Sequence, residues 1–281
     1  MERSIIDLHT HSTESDGTFT PEELMREAAR VGLSAIALTD HDTTGGIAKA
    51  RPVAKSLGIE LIPGVELSTT YEGCEVHIVG LFIDENNEFL CQKLAEFRAC
   101  RDSRNEKMVE ALQKEGLAIT MKELLAENQD CVITRANIAR FLYEHRQIRS
   151  IKEAFDRYIG DHGKCYVGRF KVTPMEAVSM IRKAGGIAIL AHPVLYHMSN
   201  TRLNELVKYL KDVGLTGIEA IYSTYSTSDE HFIKRIAKEY DLCISGGSDF
   251  HGENKPTIQL GTGCGHLYVP YSVLEELKLH L

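Results

Sequence analysis

Ile187-Ala188-Ile189-Leu190-Ala191-His192-Pro193 is an unbroken apolar run that stops at a histidine and a proline, and it reads as a buried strand with a polar group at its end. The segment before it, Pro174–Ala184, has the periodicity of a helix. Helix and strand then repeat outward in both directions. Toward the C-terminus, a helix near Leu203–Asp212 leads to strand Gly217–Ile221, and one near Asp229–Tyr240 leads to strand Leu242–Ser245. A last strand near His266–Val269 precedes a short terminal helix. Toward the N-terminus, strand Ile5–Leu8 is followed by a helix that begins at Pro21, with Thr20 as N-cap and Glu23 completing a capping box. Ser34–Leu38 is the next strand, and a helix over Gly46–Leu57 stops at Gly58, a helix-ending glycine. Ile59–Ile62 and Val76–Val79 are strands on either side of a turn at Glu72-Gly73. Repeated strand–helix–strand spacing implies parallel strands, and about seven of them favour a closed barrel over a small open sheet.

The alternation breaks between Asn87 and His162. This stretch is charged, lacks proline and has helical periodicity throughout, with Leu94, Phe97, Met108 and Leu112 on one apolar stripe and Ile138, Phe141 and Leu142 on another. The sequence therefore predicts an α/β barrel over 1–86 and 163–281, interrupted by an inserted helical cap subdomain over 87–162.

Composition narrows the function classes. The 281 residues suffice for one large α/β domain with a modest insertion. A net charge of −8 gives no bulk basic surface for nucleic acid, although an acidic total does not forbid a local cationic pocket for phosphate. No stretch approaches the roughly 20 apolar residues of a membrane span, and Met1-Glu2-Arg3-Ser4 runs straight into the first strand without a signal-peptide core. The seven cysteines, odd in number and without any Cys-x-x-Cys pair, argue against a disulfide framework or a thiolate zinc site. The expectation is a cytoplasmic protein with no membrane contact and no evident protein partner.

Polar residues of one kind collect where the strands end. In Asp7-Leu8-His9-Thr10-His11-Ser12, alternation along an extended chain puts His9 and His11 on one side, within reach of a single metal. Thr39-Asp40-His41-Asp42 follows the second strand. Pro63-Gly64-Val65-Glu66 sets Glu66 in a loop just past Glu60–Ile62, and His77 lies inside the apolar run Val76–Leu81. His192 ends the run quoted first. Ser248-Asp249-Phe250-His251 ends another, with Gly246 and Gly247 letting the backbone turn so that Asp249 and His251 share a side. Taken singly, each has a bland account: a structural histidine pair, a loop neighbour pair, a solvated carboxylate, a core histidine bonded to backbone. Taken together, six of the twelve histidines sit at or beside strand ends with Asp16, Glu66 and Asp249. Imidazoles and carboxylates crowded at one rim would resist desolvation unless cations held them.

Asp7–Ser12, Thr39-Asp40-His41, Pro63–Glu66, Ala191-His192-Pro193 and Ser248–His251, in this order over residues 7 to 251, resemble the motifs of the PHP (polymerase and histidinol phosphatase) family. The resemblance implies a distorted (β/α)7 TIM-like barrel that holds two or three divalent metals at the strand C-termini. Carried over position by position, it implies His9, His11, Glu66 and Asp249 around a first metal and Asp16, His41 and His251 around a second. Glu66, His77 and His192 would surround a third, with Glu66 bridging. Imidazole mixed with carboxylate suits Mn2+ or Zn2+, or Fe2+, better than Ca2+ or Mg2+. A hydroxide bridging two such metals is a strong nucleophile near neutral pH, and the metals neutralise phosphate oxygens during in-line displacement. Asp40 is expected to orient His41 or a metal-bound water.

Substrate choice is expected to lie in the insertion. Arg98, Arg101 and Arg104 recur every three residues on a helix, either as a cationic strip or as a solvated face balanced by Glu96, Asp102 and Glu106. Thr134 opens the next helix, either presenting free N–H groups to phosphate with Arg135 beside them or acting as a plain cap. Such an insertion is similar to that of the PHP members that are 3′,5′-nucleoside bisphosphate phosphatases, in which a helical cap grips one phosphate while the barrel metals hydrolyse the 3′-phosphate. Related members trim short RNA as 5′–3′ exoribonucleases. The chain thus reads as a metal-dependent phosphoesterase acting on a small phosphorylated substrate, a nucleotide or a short RNA end. A histidinol-phosphate-type phosphatase is the first alternative. A non-catalytic metal-stabilised scaffold is an alternative of another class, and the complete set of nine ligand positions argues against it. An amidohydrolase acting on C–N bonds would share a histidine-rich barrel, but the carboxylate-rich ligand list suits it less well. His197, close after His192, is either a pocket residue or an exposed loop residue.

Overall fold

Among the described residues, seven strands hydrogen-bond side by side in the order in which they occur along the chain, and contacts between the first and last curl them into a nearly closed barrel. The computed structural model describes residues 4–128, 132–160, 162–168 and 172–281. Residues 1–3 and Cys131, used above in the arguments from the N-terminus and from cysteine usage, lie outside them. Two compact units result. One comprises Met1–Gln92 with Lys171–Leu281, and the other is Lys93–Phe170, which starts and ends somewhat later than the 87–162 read from periodicity.

The elements are β1 (Ile5–Asp7), α1 (Pro21–Arg30), β2 (Leu33–Leu38), α2 (Ile47–Leu57), β3 (Glu60–Tyr71), β4 (Cys74–Leu81) and α3 (Glu88–Lys114). Within the second unit follow α4 (Met121–Glu127), α5 (Arg135–Glu144) and α6 (Ile151–Glu153), the last running into a π-helical turn over Ala154–Ile159. The first unit resumes with α7 (Pro174–Lys183), β5 (Ile187–Leu190), α8 (Asn200–Asp212), β6 (Gly217–Tyr222), α9 (Thr227–Glu239), β7 (Cys243–Gly247) and α10 (Tyr271–Lys278). Local chemistry sets several boundaries as expected. Thr20 and Glu23 form a reciprocal capping box on α1, and Gly58 closes α2 in the left-handed conformation at φ 70°.

The apolar runs are explained by burial on both faces. Ile187, Ile189 and Ala191 join Ile6, Leu8, Ala35 and Ala37 in the barrel interior, while the alternate Ala188 and Leu190 are buried as well. Closure comes from backbone bonds beyond β1 and β7: Leu8 N donates to Gly246 O at 3.2 Å, Asp249 N to His9 O at 2.8 Å and His11 N to Phe250 O at 3.0 Å.

Three expectations are corrected. The strands are not all parallel, because β4 runs antiparallel to both β3 and β5. Its connection to β3 is only Glu72-Gly73, both with positive φ (46° and 83°), a turn that allows a hairpin and is far too short for a crossover. Second, β3 continues through Pro63-Gly64 to Tyr71, so Glu66 lies inside a strand and not in a loop. Third, His266–Val269 forms no strand. Val269 O accepts from Ile6 N at 3.0 Å and Pro270 bridges Ile5, so this segment seals the outside of β1 without extending the sheet.

In the second unit, Met108, Leu112, Ile138, Phe141 and Leu142 share one apolar core; Leu94 is buried apart from it and Phe97 is half-buried. No helix among the described residues is long and apolar enough to cross a membrane.

Candidate metal centre

Beyond β1 the extended chain alternates. Thr10 turns toward β2, its Oγ1 donating to Ala37 O at 2.6 Å and its N to Thr39 Oγ1 at 3.1 Å. His9 and His11 therefore turn the other way, and both rings are buried. His41 follows β2 and bridges to Glu66, with Glu66 N donating to Asp40 O and Asp42 N to Glu66 O. His77 reaches the same end because β4 is reversed: its early residues lie where the parallel strands finish, and Ala191 N donates to His77 O at 3.1 Å. His192 follows β5, and Asp249 and His251 follow β7. The backbone at His192 (φ 28°) and Asp249 (φ 56°) is left-handed, a strained conformation for these residues that neighbouring bonds hold in place.

Glu66 is the hub. Its Oε1 lies 2.9 Å from His77 Nδ1 and 3.0 Å from His192 Nε2, while Oε2 lies 3.3 Å from Nε2 of His9, 3.3 Å from Nε2 of His11 and 3.1 Å from His41 Nδ1. Asp249 Oδ1 stands 3.2 Å from His11 Nε2, and Asp16 Oδ1 stands 3.2 Å from His251 Nε2. All nine residues singled out from the sequence fall into four overlapping sets whose donor atoms lie within 4.8 Å of one another. These sets are His11, Asp16, His41 and His251; His9, Glu66 and His192; His9, His11 and Asp249; and His41, Glu66 and His77. One set holds Asp16, His41 and His251 together, and another holds His9, His11 and Asp249. His11 stands with Asp16, His41 and His251, and His77 and His192 share Glu66 without sharing a set.

The electrostatics are those of a site built for cations. Burial opposes the charge on Glu66, yet His77, His9 and His41 hold it well below the usual carboxylate range. Asp16 and Asp249 are likewise held low against burial, by His251 and His41 in one case and by Lys255 and His251 in the other. Burial keeps His41 and His251 below the ordinary histidine value. Among the described residues, several buried atoms of this cluster have no hydrogen-bond partner, including His9 Nε2, both nitrogens of His11, Asp16 Oδ1, His41 Nδ1 and His192 Nδ1. Leaving such atoms dry and unpaired costs about 1–3 kcal/mol each, and divalent cations accept these nitrogen and oxygen lone pairs together. The residues present fit that group.

Three further residues belong to the site and were not found from sequence. Glu219, on β6, lies 3.1 Å from His9 Nδ1 and accepts His192 N at 2.8 Å. It fixes which ring nitrogen of His9 faces the cluster. A carboxylate inside the apolar run Gly217–Ile221 was the available signal. Tyr222 and Lys255, which meet Asp249, carried none.

Among the described residues, the hydrogen bonds of the Asp40 carboxylate go to Ser12 and Ser15, and none goes to His41. The carboxylate accepts from Ser12 N (2.8 Å), Ser12 Oγ (2.7 Å) and Ser15 Oγ (2.6 Å), so it anchors the turn that carries Asp16. His197 is exposed. In the second unit Arg98 is exposed, while Arg101 and Arg104 are buried, Arg104 Nη2 donating to Asn105 Oδ1 at 2.8 Å. Thr134 Oγ1 accepts from the N–H groups of Ala136 and Asn137, so the donors expected for phosphate serve the helix's own cap. Arg135 lies over the Tyr166 ring at 5.7 Å.

Comparison with known proteins returns a consistent set of matches. A model of the PHP domain matches residues 7–167. A 5′-3′ exoribonuclease from Haemophilus influenzae is 38% identical over 87% of this chain and 89% of its own. A 3′,5′-nucleoside bisphosphate phosphatase from Chromobacterium violaceum is 36% identical over 91% of this chain and 90% of its own. A solved structure of a candidate metal-dependent phosphoesterase from Bifidobacterium adolescentis superposes with a TM-score of 0.88 at 28% identity, over 98% of this chain and 96% of that one.

Proposed function

Because the chain belongs to the PHP domain family and is a metal-dependent hydrolase of phosphoester bonds, we propose that it removes the 3′-phosphate of a nucleoside 3′,5′-bisphosphate and leaves the 5′-mononucleotide. The observation that carries this reading is the extent of the likeness to the Chromobacterium violaceum phosphatase. At 91% of the chain it is too long to leave out the helical unit Lys93–Phe170, to which we assign substrate choice.

We assign His9, His11, Glu66 and Asp249 to one cation, Asp16, His41 and His251 to a second, and Glu66, His77 and His192 to a third, with Glu66 shared. The two oxygens of Glu66, each facing different imidazoles, support the sharing. Mixed nitrogen and oxygen donors favour Mn2+ or Zn2+, with Fe2+ next. When bound, such cations supply charge that neutralises phosphoryl oxygens and lowers the pKa of a water for in-line attack. The chain's own work is positional. Glu219 sets the His9 ring, Asp40 holds the turn that bears Asp16, and the left-handed backbone at His192 and Asp249 points both side chains into the cluster.

The test is phosphate release with Mn2+ from adenosine 3′,5′-bisphosphate, adenosine 5′-monophosphate, histidinol phosphate and a short 5′-phosphorylated RNA. The bisphosphate is expected to lead by about 100-fold in kcat/KM, with adenosine 5′-monophosphate accumulating. Preference for histidinol phosphate replaces this reading with an amine-phosphate phosphatase. Binding of metal with no turnover of any phosphoester replaces it with a scaffold. A second reading, 5′–3′ removal of nucleotides from short RNA, is favoured by the likeness to the Haemophilus influenzae exoribonuclease, and the RNA arm reports on it directly.

A further inference from the structure

Asp249 has two carboxylate oxygens in unlike surroundings. Oδ2 accepts from Tyr222 Oη at 2.6 Å and from Lys255 Nζ at 2.6 Å. Oδ1 faces imidazoles alone: His11 Nε2 at 3.2 Å, His251 Nδ1 at 3.4 Å and His9 Nε2 at 3.7 Å. The Asp249 backbone is pinned too, its N donating to His9 O at 2.8 Å. Two short donors, one of them charged, occupy the lone pairs of Oδ2 and leave Oδ1 for the cluster.

We propose that Lys255 and Tyr222 are positioning residues for divalent-cation binding, holding Oδ2 of Asp249 so that Oδ1 is the oxygen presented to a cation beside His9 and His11. The inference rests on the assignment of Asp249 as a ligand, and it makes a counter-intuitive claim about charge. An ammonium next to the carboxylate of a cation site repels the incoming cation, so on Coulomb grounds alone its removal would tighten binding. A positioning role predicts the opposite sign. A carboxylate freed at Oδ2 can rotate and loses the orientation that the imidazoles share.

The experiment is a titration of the metal-stripped protein with Mn2+ against a chromophoric chelator, for the parent, Lys255→Met, Lys255→Arg, Tyr222→Phe and Asp249→Asn, with melting temperatures of all stripped forms. Lys255→Met and Tyr222→Phe are each expected to weaken Mn2+ binding by roughly 10-fold to 100-fold, with Lys255→Arg retaining most of the affinity. Tyr222→Phe changes no charge and little shape, so it separates positioning from misfolding. Equal or tighter binding in Lys255→Met overturns the proposal while leaving the ligand assignment standing. Parent-like binding in Asp249→Asn, or no Mn2+ binding by the parent, overturns the ligand assignment and this inference with it. A fall in the melting temperature of the stripped variants at unchanged Mn2+ affinity also overturns it, since that is what a salt bridge serving only the fold would do.

Discussion

His9 and Glu219, 210 positions apart in sequence, meet with Nδ1 of the imidazole 3.1 Å from Oε1 of the carboxylate. The other oxygen of Glu219 receives the backbone N–H of His192 at 2.8 Å, so one side chain from β6 orients groups that follow β1 and β5. Glu219→Gln keeps the size of the side chain and removes its charge. The expected outcome is a divalent-metal affinity lower by roughly 10-fold to 100-fold, read as a rightward shift of the Mn2+ dependence of phosphate release. Glu219→Ala adds a loss of about 1–3 kcal/mol in urea unfolding, because the buried His192 N–H loses its acceptor. A Glu219→Gln variant that titrates like the parent would remove Glu219 from the site.

Metal removal and pH act on the same protons. In the metal-free protein burial lowers His11 and His77, but Asp249 and Glu66 overcome this for His11, and Glu66 and Glu75 for His77, and both rise to about 9. A histidine raised in this way stabilises the fold fully below its ordinary value of 6.5 and loses that contribution as pH climbs through about 9. Cation binding must displace the same protons. Chelator-treated protein is thus expected to melt at lower temperature as pH rises from about 7 to about 9.5, while Mn2+-loaded protein does not, so the gap between them widens. Calorimetry of Mn2+ binding near neutral pH should show an enthalpy that varies with the ionisation enthalpy of the buffer. A buffer-independent enthalpy would mean that no proton leaves and that the two histidines are neutral.

Asp40 offers a test in which stability and chemistry separate. Its carboxylate accepts three short bonds from Ser12 and Ser15 and touches no imidazole by hydrogen bond. Asp40→Asn cannot accept all three at one geometry. Unfolding free energy is expected to fall by about 1–3 kcal/mol, with a loss of metal affinity that follows from the displaced Asp16. If Asp40 instead served a metal-bound water directly, kcat would collapse at saturating metal with stability and metal affinity unchanged.

The clustering of the nine residues was legible because imidazole and carboxylate stand out against apolar strands, and most of them sit within a few residues of a strand end. Topology was less so. Glu60–Ile62 looks like the whole of β3 because Pro63-Gly64 reads as a stop, yet the strand passes through both. The Gly64 position explains the glycine: a Cβ there would stand 2.8 Å from Thr39 Cγ2 and 2.9 Å from Gly80 O. The reversal of β4 follows from the Glu72-Gly73 turn, which is too short for the crossover that a parallel neighbour needs. Glu219, Tyr222 and Lys255 were missed for a different reason. They act on other side chains, and nothing in linear sequence says which carboxylate or ring they meet.

Gly247 tests how tightly the barrel seam holds the site. A Cβ built there would lie 2.5 Å from both N and Cβ of His9 and 3.0 Å from Asp7 Oδ1, and the atoms in the way are mostly backbone or close to it. The Asp7 oxygen cannot swing aside freely, since it accepts from Ser248 N at 2.8 Å while its twin accepts from Gly261 N at 2.9 Å. Gly247→Ala must therefore push β1 away from β7 and carry His9 with it. The expected cost is about 1–3 kcal/mol of overpacking in urea unfolding, together with weaker Mn2+ binding. Gly168→Ala, where an added methyl meets nothing within 4 Å, is the matched control and is expected to be neutral or slightly stabilising. Equal stability of the two variants would show that β1 and β7 can part at no cost, and the seam would then not be what fixes His9.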